Sequence, residues 1–300
     1  MLKKIDFIHS LVFFNLCIIL SAISFIKDQN FLIICLFLIL SIGISHGSLD
    51  NLKGKKLLKI FKIKEIEKFY FSYICLSISV ILLWIIFPNF LLAIFLLVAS
   101  YHFGKEDTVF KINIKGIKKD ILFLFKGSSI IIAPLLFNYN ETNQIFLVLK
   151  FDLFTKFSIS KEIFLILLLL SFLSGLVLSK IKNIDDSTLT IMDFSSILII
   201  NYFLNPLLAF TIYFCFLHSI RHSLTLVFEL DKNFELGLKK FIKKALPLTL
   251  ITAGAYLISI YSLNHFFELN NAIYKVIFIG LASLTFPHIL LEYLIEKNEK

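Results

Sequence analysis

Long apolar runs broken by short polar stretches recur along the whole chain. A helix crossing a bilayer needs about 17–25 apolar residues, because backbone groups inside lipid must bond within the helix. Runs of this kind lie at 7–26, 31–47, 69–87, 89–104, 120–137, 162–179, 189–204, 206–228, 245–263 and 272–294. They predict an all-α, polytopic membrane bundle of about ten spans, or eight or nine if a short one is re-entrant. Pro88-Asn89 and Asn205-Pro206 interrupt two pairs of runs, and such punctuation ends a helix and favours a tight hairpin. The polar stretches are too short to form a soluble domain, so residues 1–300 read as a single membrane-embedded domain. Lys3 and Lys4 precede the first run, but that run is longer than the apolar core of a secretory signal, about 7–15 residues. It reads as a first membrane helix.

Composition agrees. The chain is 58% hydrophobic with 35 Phe and a mean hydropathy of +0.88, against about 45–50% apolar residues in ordinary soluble domains. A net charge of +9 would suggest nucleic acid in a soluble protein. Here the lysines concentrate in 51–68, 105–119 and 229–244, whereas the opposite loops hold Lys27, Lys150, Lys156, Lys161 and Lys275. That bias follows the positive-inside rule, so the partner is the lipid bilayer and not nucleic acid. Both termini are expected on the cytoplasmic side of the inner (plasma) membrane. Cys17, Cys35, Cys75 and Cys215 all fall in apolar runs without C-x-x-C spacing and read as buried thiols outside any disulfide framework.

The histidines carry the chemistry. With alternating spans, those ending at 47, 104, 228 and 294 run in the same direction. His46, His102, His218, His222 and His288 then lie within roughly 10 Å of one interface, at 1.5 Å per residue. His218 and His222 are spaced i, i+4, which places two imidazoles on one helical face about 6 Å apart. Imidazole is a good ligand for iron, copper or zinc, and ionisable groups inside membranes mark function more often than chance. A lone buried histidine is commonly just a hydrogen-bonded core residue; five at one depth are not explained that way. His9 has no accompanying motif and reads as interfacial, and His265 falls in a loop on the opposite side, outside the cluster.

Carboxylates follow the histidines closely: Asp50 after His46, Asp107 after His102, Glu292 after His288. A ligating imidazole usually donates its other N–H to a carboxylate or carbonyl, so these acids are outer-shell candidates. Asp193 is a further one. Arg221, between the paired histidines, is expected either to bond one of the acids or to extend its guanidinium to the interface, and Lys126 to extend to the interface likewise. The residues alone leave several readings open. A membrane di-iron desaturase or hydroxylase also clusters histidines, though its H-x-x-H-H boxes need an adjacent His-His pair that this chain lacks. A b-haem electron carrier would need histidine pairs near both faces, and a transporter would use the histidines as a proton relay.

Four motifs in order narrow these readings. Gly43-Ile44-Ser45-His46-Gly47-Ser48-Leu49-Asp50, His102-Phe103-Gly104-Lys105-Glu106-Asp107, His218-Ser219-Ile220-Arg221-His222 and Pro287-His288 resemble the Brp/Blh family. Ser45 stands where that family often has Pro, a position that touches no ligand. Members of that family are integral membrane β-carotene 15,15′-dioxygenases that supply retinal to microbial rhodopsins. The resemblance implies β-carotene and O2 as substrates, an Fe(2+) centre held by His46, His102, His218 and His222, and hand-over of retinal to a rhodopsin. It leaves His288 as a fifth ligand or an outer-shell group, with no catalytic residue beyond the metal centre.

Overall fold

The computed structural model describes residues 2–23, 31–110, 112, 114–156, 159–179 and 184–298. The elements are α1 (Leu2–Ile23), α2 (Phe31–Ser41), a 3-10 turn (Gly43–Leu49), α3 (Asp50–Ile60), α4 (Ile66–Ile86), α5 (Pro88–Glu106), α6 (Ile117–Phe137) and α7 (Tyr139–Val148). They continue with α8 (Leu153–Lys156), α9 (Lys161–Ser179), α10 (Ile184–Phe203), α11 (Pro206–Ile212), a π-helical segment (Tyr213–Ser219), α12 (Ile220–Leu230), α13 (Phe234–Leu263) and α14 (Leu269–Asn298). No strand occurs among the described residues. Residues 24–26, at the end of the first predicted span, lie outside them.

Eight helical segments among the described residues are long and apolar enough to cross a membrane, so the chain is a polytopic helical membrane protein. The other two predicted spans correspond to α5 and α10, of 19 and 20 residues. They are more polar because they turn His102, Asp193 and several hydroxyls into the bundle. Proline opens α5 and α11 where its missing N–H costs nothing, and the Asn205 side chain caps α11 by accepting from the Leu208 N–H at 2.8 Å.

Two predicted spans are interrupted. The run 31–47 stays α-helical only to Ser41, then tightens into the 3-10 turn before α3 continues. Gly43 lies so close to the Phe214 ring that an added Cβ would meet its Cε1 at 2.7 Å, and the Ser219 hydroxyl donates to the Gly43 carbonyl at 3.1 Å. The run 206–228 widens into a π-helical segment that includes His218; such insertions recur at functional sites. His9 is more than interfacial: its Nε2 donates to the Phe216 carbonyl within that segment at 2.8 Å.

The site is positioned by close backbone packing. α5 crosses α6 with Gly104 against the Phe123 carbonyl and Gly127 against the Ser100 carbonyl, where any Cβ would collide with backbone. Small residues at such crossings let membrane helices approach and gain van der Waals contact. α6 in turn packs on α9, α1 on α10, and α14 lies against α3, α4, α5 and α13. Cys17, Cys35 and Cys215 are buried as expected, but Cys75 is exposed on α4, because it falls on that helix's outer face.

Candidate metal centre

Three helices and the π-helical segment bring the histidines together. His102 comes from α5, His218 from the π-helical segment, His222 from α12 and His288 from α14. The His102 ring lies 5.2 Å from that of His218 and 5.3 Å from that of His288, centroid to centroid, and His222 lies 6.2 Å from His288. His102, His218 and His288 are buried. His46 belongs to the 3-10 turn, and its side chain lies outside the described part of the structure. His265 is exposed, and its ring lies 5.2 Å from that of Tyr261.

Asp107, Asp50 and Glu106 each cross to a histidine on another element. His218 Nδ1 donates to Asp107 Oδ1 at 2.9 Å, and the Tyr213 hydroxyl donates to Asp107 Oδ2 at 2.5 Å. His288 Nδ1 donates to Asp50 at 2.8 Å, and the Tyr73 hydroxyl donates to Asp50 Oδ2 at 2.9 Å. His222 Nδ1 lies 3.4 Å from Glu106 Oε2. Thus Asp107 bonds His218, on a different element from His102, the histidine that precedes it in sequence. A helix end directs the residue a turn later toward a different neighbour from the histidine itself. Glu292 lies 3.5 Å from His288 Nε2 and is held by Lys53 Nζ at 2.5 Å.

Arg221 faces away from this cluster. Its guanidinium makes a two-point pair with Asp193, at 2.8 and 3.1 Å, and donates to the Ser10 hydroxyl at 2.7 Å. All three residues are buried, so the arginine ties α12 to α10 and α1 and does not reach an interface. Lys126 likewise stays inside. Its Nζ donates to the Asp107 carbonyl at 2.9 Å and to Thr108 Oγ1 at 2.6 Å, satisfying an end carbonyl of α5 that lacks an intrahelical partner.

The donor set suits a first-row metal. An Nδ1–H held by a carboxylate fixes the neutral tautomer that leaves the lone pair on Nε2, the nitrogen available to an ion. One ligand atom each from His102, His288 and Glu292 lie within 4.8 Å of one another. Ligands sharing one ion through bonds of about 2 Å sit at most about 4 Å apart, so this trio needs a small side-chain shift to close on an ion. Imidazoles with nearby carboxylates fit iron, copper or zinc.

Beside the histidines runs a cavity of about 410 Å³, walled almost wholly by apolar side chains, with His102, His288 and Asp50 on its surface. Sequence reasoning missed Glu106, Tyr73 and Tyr213. Glu106 stood beside Asp107 in plain view, but the two tyrosines carry no spacing signal, being 23 and 106 residues from their aspartates.

A family model described as beta-carotene 15,15′-dioxygenase matches residues 37–296. A beta-carotene 15,15′-dioxygenase of the uncultured marine bacterium 66A03 is 28% identical over 265 residues, covering 85% of this chain and 90% of that relative. No solved structure matches. The match extends over the helices that deliver all of the clustered histidines, and the chain belongs to the β-carotene 15,15′-dioxygenase family.

Proposed function

We propose that this protein is a carotenoid-cleaving dioxygenase that splits the central 15,15′ double bond of β-carotene with O2, giving two molecules of all-trans-retinal. One observation carries the reading beyond family membership: buried, carboxylate-oriented histidines form part of the wall of a long apolar cavity inside a membrane bundle. A carotene dissolves in the bilayer, so a site within the bundle avoids transferring it through water. The metal is proposed to be Fe(2+), with His46, His102, His218 and His222 as ligands and His288 as a fifth ligand or a supporting group. Iron bound there supplies the activation of dioxygen.

The chain's own residues then do three things. Asp107, Glu106 and Asp50 hold imidazole rings in one tautomer and orientation. The apolar walls orient the polyene and keep water from the reacting bond. No side chain need move a proton, because one C=C and one O2 become two C=O with every atom accounted for. The lysine bias supports cytoplasmic termini in the inner membrane, and retinal is handed to a microbial rhodopsin.

Expression in a carotene-accumulating bacterial host tests the reading. Colour should fade as retinal appears, and His102→Ala or His218→Ala should abolish both this conversion and iron binding. Unchanged carotene with well-expressed, iron-loaded protein would overturn it, and two irons per chain would favour the di-iron alternative.

A further inference from the structure

The cavity has one open side and one closed end. On the open side its lining includes Ile74 of α4 and Ile251 of α13, which are also 55% and 68% exposed on the outer surface of the bundle. A residue that lines a cavity and also faces outward marks a mouth, and at this depth a mouth opens to lipid. The other direction follows α14 from His288 back to Phe278, about 15 Å along the helix axis. It ends among Thr142 and Phe146 of α7 and Pro206 and Phe210 of α11. Thr142, Phe146 and Pro206 are buried. Beyond them the bundle is closed: the Phe146 ring packs on Phe151 and Phe154 at 5.5 and 5.6 Å, and Lys275 of α14 donates to the Val148 carbonyl. His102 and His288 stand on α5 and α14, whose side chains line both parts of the cavity.

We propose that the closed arm is a measuring slot for a long apolar polyene. Its end wall, formed by Thr142, Phe146, Pro206 and Phe210, stops the leading ring of the substrate and thereby selects which double bond lies beside the histidines. The arm's depth is comparable to an extended half-carotene, so a ring resting on that wall brings the middle of the molecule to His102 and His288. This inference rests on the dioxygenase reading above. Whichever double bond is presented, one O2 places one oxygen on each of its two carbons. A displaced substrate therefore yields two unequal aldehydes in place of two retinals, with the same balance of atoms and electrons.

The test uses iron-loaded full-length protein in lipid vesicles containing β-carotene, with products separated by chromatography. Phe146→Leu and Phe210→Leu each widen the end wall while keeping it apolar. Each should raise the ratio of unequal aldehydes to retinal about tenfold or more, the discrimination that small changes in an apolar pocket provide. Ile163→Leu, exposed on the outer face of α9 and away from the cavity, should leave that ratio unchanged. If both end-wall variants cleave carotene with the wild-type product ratio, the slot is refuted while the dioxygenase reading stands. If the wild-type protein cleaves nothing, the dioxygenase reading falls and the slot falls with it.

Discussion

Asp107 and Asp50 each accept a hydrogen bond from a histidine Nδ1 and another from a tyrosine hydroxyl, but they do so in different surroundings. Around Asp107 the structure is sealed. Tyr213 is only 2% exposed, and Lys126, Tyr213 and Asp193 line the same void of about 30 Å³ as Asp107. Asp50 and Tyr73 instead lie on the wall of the large apolar cavity, and Tyr73 belongs to α4 at its open side. One arrangement thus serves two duties. On the sealed side it joins helices and orients an imidazole at once; on the cavity side it orients an imidazole within reach of whatever fills the cavity. A buried polar group must keep its partner, whereas one on a cavity wall has water or ligand as an alternative.

This difference can be broken most severely from behind the sealed side. Arg221→Leu strands Asp193 as a buried charge and should cost about 3–5 kcal/mol of stability, read as a drop in the thermal midpoint. Because the Arg221 guanidinium is turned to Asp193 and Ser10, the folded fraction should still bind wild-type amounts of iron; iron loss in folded protein would contradict the placement. Next come the carboxylates. Asp107→Ala and Asp50→Ala should each reduce metal affinity about 10–100-fold, measured by metal titration. Only Asp107→Ala should add a folding penalty of about 1–3 kcal/mol for the stranded Tyr213 hydroxyl. Equal melting points for the two variants would erase the distinction.

The tyrosines sharpen the comparison at smaller scale. Tyr213→Phe should lower stability by about 1 kcal/mol, the usual worth of one buried hydrogen bond, with little effect on KM for carotene. Tyr73→Phe should leave the thermal midpoint nearly unchanged and show its effect in KM, since that ring faces the cavity. The smallest effect belongs to His265→Ala, which should match wild type in iron content and turnover, since that ring is exposed and packs against the Tyr261 ring away from the cluster.

Much of this protein was legible from its amino acids. A bilayer imposes a minimum length on every apolar run, so the helices could be placed from hydropathy, and histidines inside such runs were informative because each is costly there. The two interrupted spans were not legible. The 3-10 turn depends on Phe214 pressing on Gly43, and the π-helical segment interrupts a run whose hydropathy shows no break there. The carboxylates were recognised as a class, but which ring Asp107 and Asp50 orient was not legible, because proximity in sequence does not fix proximity in space.

Local composition therefore determined which segments enter the membrane and which residue types gather at a common depth; lipid selects for both one helix at a time. Tertiary structure decided which Nδ1 meets which carboxylate, that Arg221 turns to Asp193, and that an apolar cavity closes at α7 and α11. Those outcomes depend on how each helix is rotated about its axis against its neighbours. That rotation is fixed by contacts such as Gly104 on Phe123 and Gly127 on Ser100, which exist only once the helices have packed.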